Sequence, residues 1–242
     1  MKCVVIAAGR GSRFQGTQES KPLRQVRNRP LIEWVIRGAR QAGLDDFLVV
    51  TGYAREKLEP HLVRLGREMN VPIATVFNDQ WEKENGLSVY RAREAAGDKF
   101  ALLMSDHIFD PDILSRLTAQ PLAADETLLA VDSRVAGHPT VDLDDVTRVL
   151  VEAGRIVRIG KGLPAYNAFD TGIFLCTAGL FRALEESQGR GDSSLSGGLR
   201  VLIEARKARV MDIGDAFWID VDDESALARA EHLLAARGGH VS

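Results

Sequence analysis

The sequence predicts an α/β domain of three layers, α/β/α, with helices on both faces of a mostly parallel central sheet. Three observations carry that expectation. Short β-branched runs without polar alternation, such as residues 3–8 and 47–50, read as strands buried on both faces. Segments with apolar residues at helical spacing lie between them. Strand and helix then alternate through the first half of the chain, as crossover connections in a parallel sheet require.

The elements follow in order. Residues 3–8 form the first strand. Pro30 opens a helix over 31–42, whose apolar positions Leu31, Trp34, Val35, Ile36 and Ala39 recur near helical spacing, and Gly43 stops it. Residues 47–50 are the second strand, ended by Thr51-Gly52; 55–68 is a helix and Ile73–Phe77 the third strand. A helix over 87–96, a strand over 100–104, a helix over Pro111–Thr118 and a strand over 127–131 complete the alternating part. The second half changes character: 147–152 and 155–159 flank Ala153-Gly154 and predict a small β-hairpin region. A strand at 173–176, helices at 178–186 and 199–205, short strands at 210–213 and 217–221, and a closing helix over Glu224–Ala236 follow. Residues 133–145, acidic and carrying Gly137 and Pro139, are expected to be an exposed loop. No internal repeat or linker interrupts the 242 residues, so one domain is expected.

Composition narrows the function classes. The chain is 45% hydrophobic and 27% charged with a formal net charge of −3, so no global positive field would attract nucleic acid. Cys3 and Cys176 each sit in an apolar run and read as buried reduced thiols, which leaves neither a disulfide framework nor a zinc site. The N-terminal apolar run is shorter than a signal-peptide core of about 7–15 residues and leads straight into Gly9-Arg10-Gly11. No stretch reaches the ~18 apolar residues that span a bilayer. A cytoplasmic enzyme is expected.

The strongest motif is Ala7-Ala8-Gly9-Arg10-Gly11-Ser12-Arg13-Phe14, directly after the first strand. Two glycines let backbone N–H groups approach a polyphosphate, and the carboxyl end of a parallel strand is where open α/β sheets bind ligands. Position 14 is Phe, so the third glycine of a dinucleotide fingerprint is missing, as is the acidic residue at the second strand's end and the Gly-Lys-Ser/Thr ending of a P-loop. Two cations follow instead, Arg13 and Lys21 of Lys21-Pro22-Leu23, and they suit a triphosphate better than a dinucleotide.

Ala-Ala-Gly-x-Gly-x-Arg followed by Lys-Pro-Leu resembles the opening of the sugar-phosphate nucleotidyltransferase superfamily, whose domains are Rossmann-like. Asn85-Gly86-Leu87-Ser88, Leu103-Met104-Ser105-Asp106, Ile159-Gly160-Lys161, Asp170-Thr171-Gly172 and Trp218-Ile219-Asp220-Val221-Asp222 extend the resemblance over nearly the whole chain. The later motifs are most similar to the inositol-1-phosphate cytidylyltransferase group and also resemble phosphocholine cytidylyltransferases. Residues 14–20 depart from the stretch that many hexose-phosphate members carry there. The archaeal inositol-phosphate enzymes are often fused to a membrane alcohol-phosphate transferase domain, which has no counterpart in these 242 residues.

The resemblance implies a nucleotide-binding half at about 1–132 and an acceptor-binding half at about 133–242. It assigns Ala7, Ala8, Gly9, Arg10, Gly11 and Ser12 to the nucleotide, Arg13 to the β- and γ-phosphates, and Lys21 to the α-phosphate and departing pyrophosphate. Asn78, Asn85, Gly86 and Ser88 would read the nucleobase. Lys161 would hold the acceptor's phosphate, and Asp170, Thr171 and Gly172 would contact its hydroxyls. Asp106 and Asp220, each ending a predicted strand, would hold Mg²⁺, which prefers a few carboxylates plus phosphate oxygens and water. Asp110 and Asp223, each just before a predicted helix, read as caps. His107 has no second His or Cys at ligand spacing and reads as a structural or substrate contact.

The expected reaction is transfer of a nucleoside monophosphate, CMP from CTP above others, to a phosphomonoester, inositol 1-phosphate above others. A phosphate monoester is already anionic near neutral pH, which explains why no general base stands out. Phosphocholine remains open because Tyr166, Phe169 and Trp218 could form an aromatic cage; a hexose 1-phosphate with UTP or GTP also remains open. A non-catalytic nucleotide sensor is the competing class, disfavoured by Arg13, Lys21, Asp106 and Asp220 occurring together.

Overall fold

Strand β1 (Lys2–Ala7) sets the pattern for the molecule. Cys3, Val5 and Ala7 face one side of the sheet, Val4 and Ile6 the other, and all five are buried. The computed structural model describes residues 1–14, 20–138 and 140–237; residues 15–19, within the departure noted above, and Pro139 of the expected loop lie outside the described residues. A short antiparallel pair, β2 (Gln25–Val26) and β3 (Arg29–Pro30), leads into α1 (Leu31–Gln41). β4 (Asp46–Thr51), α2 (Arg55–Met69), β5 (Ile73–Phe77), α3 (Asn85–Arg91) and β6 (Lys99–Met104) follow, then β7 (His107–Phe109) and α4 (Pro111–Thr118). The second half contains β8 (Thr127–Asp132), β9 (Arg148–Glu152), β10 (Arg155–Gly160), β11 (Ala168–Thr177), α5 (Gly179–Gly189), α6 (Leu195–Glu204), β12 (Ala208–Asp212), β13 (Trp218–Asp220) and α7 (Glu224–Ala236).

Among the described residues the main sheet has nine strands in the order β5-β4-β1-β6-β11-β8-β12-β10-β9. It is parallel across β5, β4, β1 and β6 and again between β8 and β12, as the alternating first half predicts. β11 runs antiparallel to both β6 and β8, and the β9–β10 hairpin is antiparallel as expected, so the sheet as a whole is mixed. Both halves of the sequence feed this one sheet.

The faces sort the helices into two outer layers. Leu58, Leu62 and Leu65 of α2 pack with Ile32 and Ile36 of α1 and Leu114 of α4 over Val5, Val49 and Leu103. On the other face Val89 of α3, Leu184 of α5 and Leu199 of α6 cover Ile6, Leu102 and Phe174. Each fully buried Leu, Ile or Phe contributes about 1.5–3 kcal/mol of transfer free energy. A third cluster, with Trp34, Ile108, Ile219 and Leu234, seats α7 against α1 and β13. Cys3 and Cys176 are free and buried, and burial raises both thiol pKa values, so both stay protonated. No helix among the described residues is long and apolar enough to cross a membrane.

Several departures from the expected elements have local causes. The β2–β3 turn places Arg27 and Asn28 at φ 50° and 61° without a glycine to announce it. α6 begins at Leu195, four residues before the expected start, because Ser194 accepts from the Gly197 N–H and the Gly197-Gly198 pair lets α5 approach closely. β11 starts at Ala168, five residues before the strand expected at 173–176, and runs through Asp170-Thr171-Gly172 with a register shift between Asp170 and Phe174 and Gly172 at φ +73°. Asp223 caps α7 through the Ala226 N–H as expected. Asp110 stands at the N-cap of α4, but its carboxylate accepts from Phe217 N–H and Arg237 instead of capping.

Gly86 illustrates how closely the face carrying α3, α5 and α6 is packed. A Cβ there would lie 2.6 Å from the Ser194 backbone carbon. Alanine gains up to about 1 kcal/mol of helix propensity over glycine, but the clash is with backbone, which cannot swing aside. Gly86→Ala is therefore expected to lower Tm by about 2–8 °C, measured by thermal unfolding; an unchanged or higher Tm would show that α3 and α6 can separate freely.

Candidate active site

β1 lies between β4 and β6, and the chain steps outward from β1 through β4 to β5 before crossing back to β6, so the crevice at the carboxyl ends of β1 and β6 is a topological switch point. The glycine loop leaves β1 there. Gly11 adopts φ +67°, and a Cβ on it would lie 2.6 Å from the Lys21 Cβ, so glycine is what allows Lys21 to reach under the loop. Gly52 allows a similar approach: a Cβ would meet the Ala8 carbonyl oxygen at 2.5 Å, and that carbonyl accepts from the Tyr53 N–H. Lys21 opens a short 3₁₀ turn, Lys21–Leu23, and is almost fully buried.

Charge converges around Lys21. Its ammonium donates to Asp106 Oδ2 at 2.5 Å and to Asp222 Oδ1. Arg13 donates to Asp145 and pairs with Asp222 at 2.9 Å. Lys161, on the turn after β10, donates to Asp145 Oδ1 at 2.5 Å, so one carboxylate bridges cations from the glycine loop and the hairpin. β7 and β13 pair antiparallel with Asp220 opposite His107, which places His107 Nε2 3.8 Å from Asp220 Oδ2 and leaves Nδ1 at 2.8 Å from Asp106 Oδ1.

For Lys21 and Asp106 these contacts shift the titration against the direction that burial favours. Burial opposes the charge on Lys21, yet Asp106, Asp220 and Asp222 raise its pKa above the usual lysine range. Burial opposes ionisation of Asp106, yet Lys21 and His107 hold its carboxyl far below the usual range. Asp220 goes the other way: burial, with Asp106 and Asp222 nearby, pushes it up despite His107 and Lys21.

The donor set suits a hard divalent cation. Asp106, His107 and Asp220 bring one ligand atom each within 4.8 Å of one another, and so do Asp145, Asp220 and Asp222. Asp220 Oδ1 is buried without a hydrogen-bond partner, an arrangement that a cation would satisfy.

A cleft of about 410 Å³ opens over this cluster, and many residues expected at the site line it: Gly9, Gly11, Ser12 and Arg13, with Lys21 and Asn85. Asp106, Lys161, Asp170, Gly172 and Asp220 complete that set. Others lie elsewhere. Ala7, the last residue of β1, and Ala8 just after it are buried, and Arg10 lies over the Tyr53 ring. Asn78 and Ser88 are buried and bond each other at 2.9 Å, while Gly86 packs on Ser193 and Ser194. Thr171 is fully buried and donates its hydroxyl to the Ala130 carbonyl at 2.8 Å, so that hydroxyl turns into the sheet and away from the cleft.

Residues 3–161 match the MobA-like NTP transferase domain. The chain belongs to that family. The "Bifunctional IPC transferase and DIPP synthase" of Rubrobacter xylanophilus is 32% identical over 232 residues, covering 95% of this chain and 51% of the relative. The protein of the same name from Thermococcus kodakarensis is 31% identical, covering 96% and 50%. The chain thus spans about half the length of these curated relatives. Its fold is similar to that of the inositol-1-phosphate CTP transferase from T. maritima, with a TM-score of 0.86 and 24% identity over 100% of this chain and 97% of the other.

Two residues of this transferase-family cleft escaped the sequence reading. Asp222 sits two positions after Asp220, just beyond the end of β13, and the spacing of Asp220-Val221-Asp222 is the signal that could have found it. Asp145 carries no such signal, because it belongs to an acidic stretch that reads as solvated loop.

Asp170 yields a test independent of substrate. It accepts from Gly172 N–H at 2.8 Å, and burial raises its pKa from 3.8 to about 6. A raised carboxyl favours the folded state only while protonated, so its contribution falls as pH rises from about 4 through about 6 and stays unfavourable above. Asp170→Asn keeps the acceptor for Gly172 and removes that penalty. Its Tm should exceed that of the wild type by about 2–6 °C at pH 8, with the difference gone at pH 4; equal differences at both pH values would overturn the assignment.

Proposed function

We propose that this nucleotidyltransferase-family domain transfers CMP from CTP to inositol 1-phosphate, with Mg²⁺, giving CDP-inositol and pyrophosphate. The observation that carries the reading is the pair of cationic walls, Lys21 with Arg13 and Lys161, facing one cleft around Asp106, Asp145, Asp220 and Asp222. A triphosphate and a phosphomonoester must be brought together there against their own repulsion. The choice of CTP and inositol 1-phosphate rests on the motifs quoted above and on the names of the similar proteins.

The acceptor's phosphate oxygen is already an anion, so the chain need not deprotonate it. That oxygen attacks the α-phosphorus of CTP, a new P–O–P bond forms, and the bond to the β-phosphate oxygen breaks with its electron pair leaving on pyrophosphate. Lys21, buried and held charged, faces the α-phosphate and the charge developing on the leaving oxygen. Arg13 holds the β- and γ-phosphates, and Lys161 orients the acceptor. Mg²⁺ on Asp106 and Asp220 would supply charge neutralisation to the reacting phosphates when bound. Rate then comes from positioning and electrostatics.

Tyr166, Phe169 and Trp218 do not come together as the aromatic cage that a phosphocholine acceptor would favour. Phe169 is fully buried in the core, Tyr166 lies beneath the Arg148 guanidinium at 4.8 Å, and of the three candidate aromatics only Trp218 borders the cleft.

Pyrophosphate release across four nucleoside triphosphates and a panel of phosphomonoesters tests the reading. CTP with inositol 1-phosphate should have the highest kcat/KM; a preference for phosphocholine or glucose 1-phosphate would overturn the acceptor, and no release from any pair would overturn the transferase reading. Lys21→Ala should slow the single-turnover step by about two to four orders of magnitude. A change confined to nucleotide affinity would reduce Lys21 to a recruiting role. Asp106→Ala should abolish release while the protein stays folded, checked by circular dichroism alongside the assay.

A further inference from the structure

Asp132 is a fully buried carboxylate outside the chemistry described so far. It ends β8, and its two oxygens accept five hydrogen bonds. Oδ1 accepts from the Arg134 N–H and Nε, both at 2.9 Å. Oδ2 accepts from Arg134 Nη2 at 2.6 Å, from the Trp218 indole N–H at 2.8 Å and from His138 Nε2 at 2.8 Å. The direction of the last bond follows from its surroundings: His138 Nδ1 accepts from the Thr140 N–H at 3.3 Å, so the ring proton sits on Nε2.

The partners of Asp132 lead to the cleft by two routes. Trp218 opens β13, two residues before Asp220, and Arg134 also grips the approach to it by donating to the Ala216 carbonyl. The Trp218 ring lies within 4° of parallel to His107, centroids 6.1 Å apart, and His107 is bonded to Asp106. The second route runs through His138 and Thr140, whose segment continues to Asp145; Thr140 Oγ1 lies 3.4 Å from the Trp218 carbonyl. One buried charge therefore touches two of the segments that bring carboxylates to the cleft from the second half of the chain, those carrying Asp145 and Asp220.

A buried ionic cluster is an inefficient way to gain stability, because apolar residues of similar volume often do as well or better. Its contribution here is geometric. We propose that Asp132 is a positioning residue for the transfer reaction, fixing Trp218 and His138, and through His138 also Thr140, so that Asp220 and Asp145 meet Asp106 at working distance. The proposal rests on the transferase reading of the cleft.

Asp132→Asn preserves shape but replaces one acceptor oxygen by a donor facing Trp218 and His138, or Arg134. Kinetics should be measured on the folded fraction, with the wild type as reference and CTP affinity determined by equilibrium binding without acceptor. The expected result is a kcat about 10–100-fold lower with CTP affinity within about threefold, since Arg13 and Lys21 are untouched. Trp218→Phe, which keeps a ring and removes only the N–H donor, should lower kcat in the same direction. The double variant should be no slower than Asp132→Asn alone, because both act through one contact. A folded Asp132→Asn protein with kcat within twofold of the wild type overturns the proposal, as do single effects that multiply independently. If Asp132→Asn does not fold, an unchanged kcat in Trp218→Phe overturns it. Failure of the wild type to release pyrophosphate would instead refute the transferase reading.

Discussion

Asp106, Asp145, Asp220 and Asp222 share one cleft, and the repulsion among them is the constraint around which the neighbouring structure is organised. Two carboxylates about 4 Å apart repel by about 4 kcal/mol at an effective dielectric of about 20. Lys21 between Asp106 and Asp222, and Arg13 between Asp145 and Asp222, offset that cost. Placing Lys21 there requires the positive φ and missing Cβ of Gly11. Placing Asp220 requires a two-stranded pairing of β13 with β7 apart from the main sheet. Local oddities of backbone thus trace back to one electrostatic problem.

The mixed sheet serves the same arrangement. The parallel strands β1 and β6 deliver the glycine loop and Asp106 to one edge, as a doubly wound topology does for many ligands. β11, running antiparallel beside β6, brings Asp170 and Gly172 to that edge from the opposite direction. Gly172 is the point where this works: a Cβ there would lie 3.0 Å from the His107 ring, and the register shift around it turns Asp170 toward the cleft.

Most of the architecture was legible in the sequence because it rests on apolar runs long enough to show their period. Ile73–Phe77, Pro111–Thr118 and Glu224–Ala236 appear at the expected bounds. That the glycine loop, Lys21 and Asp106 meet in one cleft was legible too, since they follow the neighbouring strands β1 and β6 and carry residue types in recognisable short motifs. Features built on long-range pairing were not. β7 is three residues long and exists because β13 lies beside it, and Asp145 acquires meaning only when Arg13 and Lys161 close on it. Asn78 and Ser88 show the converse: a polar pair near a recognisable motif in which the Asn78 amide donates to Ser88 and accepts from the Gln80 N–H. Glycines in α6 masked its first turn, because their packing against α5 outweighs their poor helix propensity.

The pairing of Lys21 with Asp222 spans 201 residues of chain. During vectorial synthesis the glycine loop, Asp106 and Lys161 all emerge well before β13 does. The family-defining stretch, residues 3–161, therefore carries Lys21 with Asp106 but neither Asp222 nor Asp220. Contacts of such sequence separation form late and slowly. A nascent or truncated chain can thus carry the recognisable glycine loop while lacking the carboxylates that complete its cleft, and completion of the site is tied to arrival of β13.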